Sequence, residues 1–192
     1  MGLDYSYEVY VHRDSARALL EAVKASCNPY PGGKTTVEFP DGPVVMPCTS
    51  RFASDTTLRF DPTATDGGSL LQLDLSLSFP ADTELLKWVG ERGAPQTDSG
   101  NGLLCSVGYI YLSVFDASKF LPDHLSFDFM AATTDMSRLF ARSASIRTWF
   151  ANLTFDHDGP LCLLDLETKG RITITLGSID RQLNVDWDGL YL

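Results

Sequence analysis

The sequence predicts an α+β fold, in which a mainly antiparallel sheet carries its helices on one face. Three observations support this prediction. Segments with an apolar side chain at every second position outnumber helical segments by roughly two to one. Several strand-like segments are joined by short hairpin-like turns. Helical segments do not regularly separate the strands, as they would in a parallel sheet.

The first third of the chain is predicted to alternate between short strands and one helix. Residues 5–11 alternate between apolar and polar side chains, which predicts a half-buried strand. Asp14 is suited to cap a helix whose apolar residues run from 16 to 23, and the Pro- and Gly-rich segment 29–33 ends it. Further short strands are predicted over residues 35–39, 44–46 and 57–60.

The rest of the chain carries the longer predicted elements. Residues 71–79 show the cleanest alternation, which is typical of a strand with one buried and one solvated face. A helix over residues 81–91, a polar loop over 93–102 and a long strand over 104–115, apolar on both faces, follow. The last predictions are a strand over 125–131, a helix over 135–152 broken near 143–145, and strands over 161–167, 171–176 and 182–187.

One internal similarity suggests two related β-α halves that share one sheet. Residues 5–23 align without a gap on residues 71–89. Each of the two segments is predicted to form a strand that is followed directly by a helix. Few identical residues accompany the alignment. Convergence is the alternative, because any strand–helix unit shares this pattern.

Length and composition indicate one globular domain over residues 1–192. Apolar residues make up 44% of the chain, enough to bury a core, and no segment resembles a long linker. The formal net charge is −10, from 15 basic and 25 acidic residues. The basic residues are scattered, so neither nucleic acid nor an anionic membrane surface is expected as a partner. The acidity serves solubility or complements a basic partner.

The cysteines and the absence of targeting signals predict a cytoplasmic protein. Cys27, Cys48, Cys105 and Cys162 form no Cys-x-x-Cys motif, and we expect all four to be reduced. The N-terminal residues lack the pattern of a signal peptide, and no apolar run reaches the length of a membrane span.

Two segments only partly resemble ligand-binding motifs. The Gly-Gly-Lys-Thr run at residues 32–35 lacks the first glycine of a phosphate-binding loop, and a strand follows it where the motif needs a helix. Residues 184–189 resemble the opening of a calcium loop, but the glutamate of loop position 12 would fall beyond residue 192. No metal site and no cofactor are therefore predicted.

Five residues are candidates for ligand or partner binding. Asp156, His157 and Asp158 place two carboxylates beside an imidazole, although the same residues have the composition of a turn. Tyr109 and Tyr111 share one face of a strand, where tyrosine serves either core packing or recognition. No residue is predicted to be catalytic, because no nucleophile or metal motif is complete.

These observations favour a non-catalytic, acidic protein-interaction module. An inhibitor- or immunity-type protein that binds a basic partner would have this composition. The alternative is a small-molecule-binding protein or enzyme with a cleft under the loop over residues 93–102, lined by Tyr109, Tyr111 and His157.

Overall fold

The computed structural model describes residues 2–29, 32–47, 54–65, 68–100 and 102–176, and within them lie ten strands and four helices. The strands are β1 (Ser6–His12), β2 (Thr35–Phe39), β3 (Gly42–Met46), β4 (Thr56–Arg59), β5 (Ser69–Pro80), β6 (Gln96–Asp98), β7 (Leu103–Asp116), β8 (His124–Ala131), β9 (Leu161–Asp165) and β10 (Arg171–Leu176). The helices are α1 (Ala16–Ala25), α2 (Thr83–Arg92), α3 (Thr134–Arg142) and α4 (Ala144–Phe155). The predicted strand over 182–187, the segment 184–189 and Cys48 lie outside the described residues.

The main sheet has the strand order β10-β9-β1-β8-β7-β5, and β6 pairs with one end of β7. Every pair in this sheet is antiparallel. A smaller sheet of order β3-β2-β4 lies between α1 and β5 in the chain, and its β2–β4 pair is parallel. The predicted α+β class with a mainly antiparallel sheet is thus confirmed.

The four helices bury their apolar residues against one face of the main sheet, here called the inner face. Tyr7 of β1 shows how closely the layers are joined, because its ring stacks on Phe150 of α4 with centroids 4.1 Å apart. Its hydroxyl donates a hydrogen bond to the carbonyl of Phe140 in α3 at 2.9 Å. The apolar residues of α1 and α2 belong to the same continuous core. None of the helices among the described residues is long and apolar enough to cross a membrane.

The two segments that align in sequence both form a strand followed by a helix. They are β1 with α1 and β5 with α2, and both strands belong to the main sheet. β1 lies between β9 and β8, whereas β5 lies at one end of the described strand order and runs in the opposite direction.

The predicted break in the long helix lies at Ser143. The residue ends α3, and its backbone N–H donates to the carbonyl of Leu139. It also begins α4, where its side chain accepts from the N–H of Ile146. The side-chain oxygen of a serine at this position satisfies an amide that has no partner within the helix, and this explains why a new helix begins here.

A bulge in β7 explains why that strand is apolar on both faces. The β5–β7 register shifts between Ser76 and Ser78, so that one extra residue of β7 is accommodated near Gly108. Gly108 has a φ of 96°, a conformation that glycine adopts without the strain a side chain would cause. Before the bulge Cys105 and Val107 are buried, and after it the buried residues are Ile110, Leu112 and Val114.

Candidate functional site

The outer face of the main sheet, opposite the helices, carries polar side chains of β1, β7 and β8, whereas β9 places Leu161 and Leu163, both buried, on this face. In β1 the residues Tyr7 and Val9 point into the core, so their neighbours Ser6, Glu8 and Tyr10 point outward. The antiparallel register places Asp128 of β8 directly opposite Glu8, and it places Ser126 opposite Tyr10 and Ser113 of β7 opposite Asp128. Strands that are distant in sequence therefore bring polar residues together on this face, and Ser6, Glu8 and Ser126 are buried there.

Two of three neighbouring carboxylates on this face share one guanidinium. Arg171 of β10 lies 3.0 Å from Oε1 of Glu8 and 2.9 Å from Oδ2 of Asp165, which belongs to β9. The hydroxyl of Tyr10 donates to the second oxygen of Glu8 at 2.7 Å. Asp128 is the third carboxylate, and among the described residues no lysine or arginine lies within ion-pair distance of it.

Asp128 is the carboxylate whose charge is least compensated. Burial is the largest influence and raises its pKa to about 6, against a hydrogen bond from Ser6 that lowers it. The neighbouring charges of Glu8 and Asp165 raise the pKa further, and Arg171 lowers it. Its Oδ1 atom is enclosed and accepts no hydrogen bond from the described residues. A buried acceptor without a donor costs stability, which is typical of a residue kept for function.

A cleft of about 310 Å³ opens above these carboxylates. Its floor is formed by Glu8 and Asp128, and a loop between β7 and β8 forms one wall. The ring of Phe120 in that loop packs 5.7 Å from the ring of Tyr10. The complete lining is Glu8, Tyr10, Phe115, Asp116, Ala117, Lys119, Phe120, Ser126, Asp128 and Arg171.

An aromatic stripe runs along the outer face of β7 beside this cleft. It consists of Tyr109, Tyr111 and Phe115, which are 36%, 41% and 37% exposed. The bulge at Gly108 puts Tyr109 and Tyr111 on this face, because without the extra residue they would continue the inward positions of Cys105 and Val107. The stripe meets the cleft at Phe115, which lines both.

The predicted Asp156, His157 and Asp158 cluster forms the turn after α4. The His157 ring lies with Nδ1 2.8 Å from the carbonyl of Leu153. Asp158 has a φ of 53°, and the N–H of Gly159 donates to the carbonyl of Thr154 at 2.8 Å. No group of three or more His, Cys, Asp or Glu residues in the described chain is arranged to hold a metal ion.

The structure does not bring the two groups of predicted site residues together. Tyr109 and Tyr111 lie on the outer face, whereas α4, which leads into the His157 turn, packs on the inner face. The turn instead approaches one end of β1, since a Cβ at Gly159 would lie 2.6 Å from the carbonyl oxygen of Tyr10. The cleft described above is not lined by residues 93–102.

A second, smaller cleft lies between α2 and α3. It has a volume of about 170 Å³ and is lined by charged residues of both helices. Arg92 lies over the ring of Trp88 at 3.7 Å and pairs with Asp135 at 2.6 Å. Arg138 pairs with the same carboxylate at 2.9 Å. Arg92, Arg138, Glu91 and Asp135 are thus paired with one another within this cleft.

Sequence reasoning missed Glu8, Tyr10, Asp128 and Arg171. The sequence gives only a weak signal for these residues, because each of them is simply one of the polar residues in a strand of alternating polar and apolar residues. Strand periodicity assigns such residues to the solvated face, but only the strand order shows that β1, β8, β9 and β10 put them side by side. The order also places His12 opposite His124, with ring centroids 5.6 Å apart, although no sequence spacing relates them.

Comparisons of the chain with protein-family models, with curated proteins and with solved structures found no match.

Proposed function

We propose that the protein is a non-catalytic binding module that recognises a basic partner protein through the outer face of its main sheet. An inhibitor- or immunity-type role would use such a surface. The observation that carries the proposal is the exposed aromatic stripe of Tyr109, Tyr111 and Phe115, which lies on the same sheet face as the carboxylates of Glu8 and Asp128.

The aromatic stripe supports binding because of its position and its residue types. Three of the large hydrophobic side chains that are exposed in the described residues fall on outward positions of one strand segment, with Ser113 between Tyr111 and Phe115. Tyrosine contributes a large contact area at a low cost in side-chain entropy, and it is enriched among the residues that dominate binding energy.

The charges of the face support a basic partner. On the described strands of the main sheet, the outward-facing carboxylates are Glu8, Asp74, Asp128 and Asp165, against the single guanidinium of Arg171. The difference is three negative charges on one face, which agrees in sign with the net charge of −10 for the whole chain. Such an excess speeds association with a basic surface and disfavours acidic partners.

The buried thiols agree with a non-catalytic role in the cytoplasm. Burial raises the pKa of Cys162 to about 12 and also raises the pKa of Cys105. Both thiols are therefore protonated at neutral pH and are poor nucleophiles. Neither Cys105 nor Cys162 forms a disulfide in the described part of the chain, which agrees with a reducing compartment.

The second candidate function, binding of a small molecule, is favoured by the cleft above Glu8 and Asp128. Its volume of about 310 Å³ lies at the lower end of ligand pockets. Polar groups from four strands converge on it, although it lies under the loop between β7 and β8 rather than under residues 93–102.

Capture experiments with matched variants test the proposal. The immobilised protein, a Tyr111→Ser/Phe115→Ser variant and a Phe155→Ser control are exposed to lysate of the source cells. Phe155 is a suitable control because it is 77% exposed on α4, away from the outer face. We expect a basic protein to be retained by the wild type and the control, lost by the stripe variant and weakened at about 1 M salt. Equal retention by all three proteins would refute the proposal.

A further inference from the structure

The cleft combines apolar walls with a charged floor. Its aromatic lining is formed by Tyr10, Phe115 and Phe120, and its floor holds the carboxylates of Glu8 and Asp128. Aromatic faces attract organic cations, and a carboxylate within the same cleft supplies the opposite charge. This lining suits a cationic group that is attached to an apolar stem.

Arg171 shows how this face holds a guanidinium. It bridges Glu8 of β1 and Asp165 of β9, two carboxylates on neighbouring strands, at 3.0 and 2.9 Å. On the other side of Glu8, the register places Asp128 of β8 directly opposite it, whereas Asp165 of β9 lies opposite Ser6 and is diagonal to Glu8. No described lysine or arginine lies within ion-pair distance of Asp128, whose Oδ1 atom is enclosed, so a ligand would reach this carboxylate through its other oxygen.

We propose, building on the function proposed above, that the cleft receives an arginine side chain of the basic partner, with its guanidinium against Asp128 and its aliphatic stem against Phe115 and Phe120. The incoming guanidinium lies on the β8 side of Glu8, whereas Arg171 pairs with Glu8 and Asp165 on the β9 side. It also connects the cleft to the aromatic stripe, because Phe115 belongs to both.

Arginine fits this cleft better than lysine or a metal ion. A guanidinium is planar, stacks on aromatic rings and donates several hydrogen bonds in one plane, whereas an ammonium is compact and strongly hydrated. A divalent cation would need several ligands arranged around one point, and the described residues offer no such group.

A titration followed by NMR tests the proposal with the full chain and a defined probe. The probe is N-acetyl-arginine methylamide, and its neutral control is N-acetyl-citrulline methylamide, which has nearly the same shape. We expect the arginine probe to shift the resonances of Tyr10, Phe115 and Phe120, and the citrulline probe to bind roughly tenfold more weakly or not at all. Equal binding of both probes would overturn the proposal.

Two variants show whether Asp128 is responsible. Asp128→Asn removes the charge but keeps the shape, and we expect roughly tenfold weaker binding of the arginine probe. Asp98→Asn makes the same change of charge on β6, which does not line the cleft, and should leave the affinity unchanged. The NMR spectrum of Asp128→Asn shows whether the variant is folded. If a folded Asp128→Asn protein binds the arginine probe with unchanged affinity, the proposal is overturned.

The two proposals can fail separately. If the stripe variant loses the captured partner while the arginine probe fails to bind, the proposed function stands and the arginine site is wrong. If the probe binds as described but no partner depends on the stripe, the cation site stands and the proposed protein-binding function is wrong.

Discussion

Asp82 and Ser143 join the starts of two helices that are distant in the sequence. The hydroxyl of Ser143 donates to Oδ2 of Asp82 at 2.7 Å, and the N–H of Ser145 donates to the same oxygen at 2.9 Å. The other carboxylate oxygen accepts from the N–H of Leu85 at 2.8 Å. One side chain therefore caps α2 and holds the first turn of α4, which fixes two helices relative to each other.

Replacement of Asp82 by alanine should destabilise the protein more than is usual for the substitution of a partly exposed residue. The change removes the cap of α2 and leaves Ser143 and Ser145 without their acceptor. Losses of this kind amount to about 2–3 kcal/mol in the free energy of unfolding. Asp82→Ser is the matched control, since it keeps a cap for α2 and should lose only part of this energy. Urea denaturation measures both, and an alanine variant as stable as the wild type contradicts the double-cap interpretation.

The contribution of Asp82 should also disappear in acid. Burial would raise the pKa of this carboxyl, but hydrogen bonds from Ser145, Leu85 and Ser143 outweigh burial and hold the pKa below its usual value. Because the pKa of Asp82 is lower in the folded protein than in the unfolded chain, the ionised carboxylate stabilises the fold at pH values above the unfolded pKa. This stabilisation is lost as the pH falls through the folded pKa. The stability difference between the wild type and Asp82→Asn should therefore shrink as the pH is lowered below 4. A difference that does not change with pH would contradict this.

Replacement of Asp128 by asparagine should stabilise the protein at neutral pH. In the folded protein the pKa of Asp128 is about 6, which is above the value of the carboxyl in the unfolded chain. Ionisation of Asp128 therefore lowers the free energy of unfolding as the pH rises from the unfolded pKa to the folded pKa, and the loss is complete above about pH 6. Below the unfolded pKa this loss is absent. The groups that face it are Glu8, Tyr10, Asp165 and Arg171, with Lys119 and Asp116 also lining the cleft. Because Asp128 is only partly exposed, we expect a gain of about 1–3 kcal/mol at pH 7.5.

Urea denaturation at pH 7.5 and pH 4 tests this prediction. The gain in Asp128→Asn should be present at the higher pH and nearly absent at the lower one. A variant that is less stable than the wild type at both pH values would show that Asp128 is a structural residue. Together with a loss of arginine binding, a gain in stability would show that the carboxylate serves binding at the expense of the fold.

Replacement of Gly108 by alanine should destabilise the sheet. A side chain at a φ of 96° is strained, and the new Cβ would also lie 3.4 Å from the Cε of Met136 in α3. We expect a loss of about 1–2 kcal/mol in thermal or urea unfolding. Gly90→Ala is the control, because Gly90 lies in α2 with open space around its Cβ position, and alanine favours a helix. A neutral Gly108→Ala would mean that the bulge does not depend on glycine.

Much of the fold follows from local patterns in the sequence. The alternation of residues 71–79 predicts β5, and the small polar residues at 143–145 predict the break between α3 and α4. The two-sided apolar pattern of β7 is misleading without the bulge, because a shift of one residue exchanges the two faces of a strand. Sequence periodicity does not show where such a shift occurs.

The candidate site could be predicted only in part. Tyr109 and Tyr111 were found because aromatic residues at alternate positions are visible in one segment. The carboxylates of Glu8, Asp128 and Asp165 were not found, because they come from separate strands whose order is set by long-range pairing. Asp156, His157 and Asp158 were candidates because they are adjacent in the sequence. Adjacent residues of a turn point in different directions, so adjacency alone does not form a site.

Covalent footprinting of the complex with the captured partner tests the central claim most directly. Aromatic and apolar side chains are labelled in the free and the bound protein, and the labelling rates are compared by mass spectrometry. The account predicts slower labelling of Tyr109, Tyr111 and Phe115 in the complex, while Phe155 and Leu86, which are 77% and 46% exposed, keep their rates. Protection of Phe155 or Leu86 with an unprotected stripe would contradict the assignment of the outer face as the binding surface.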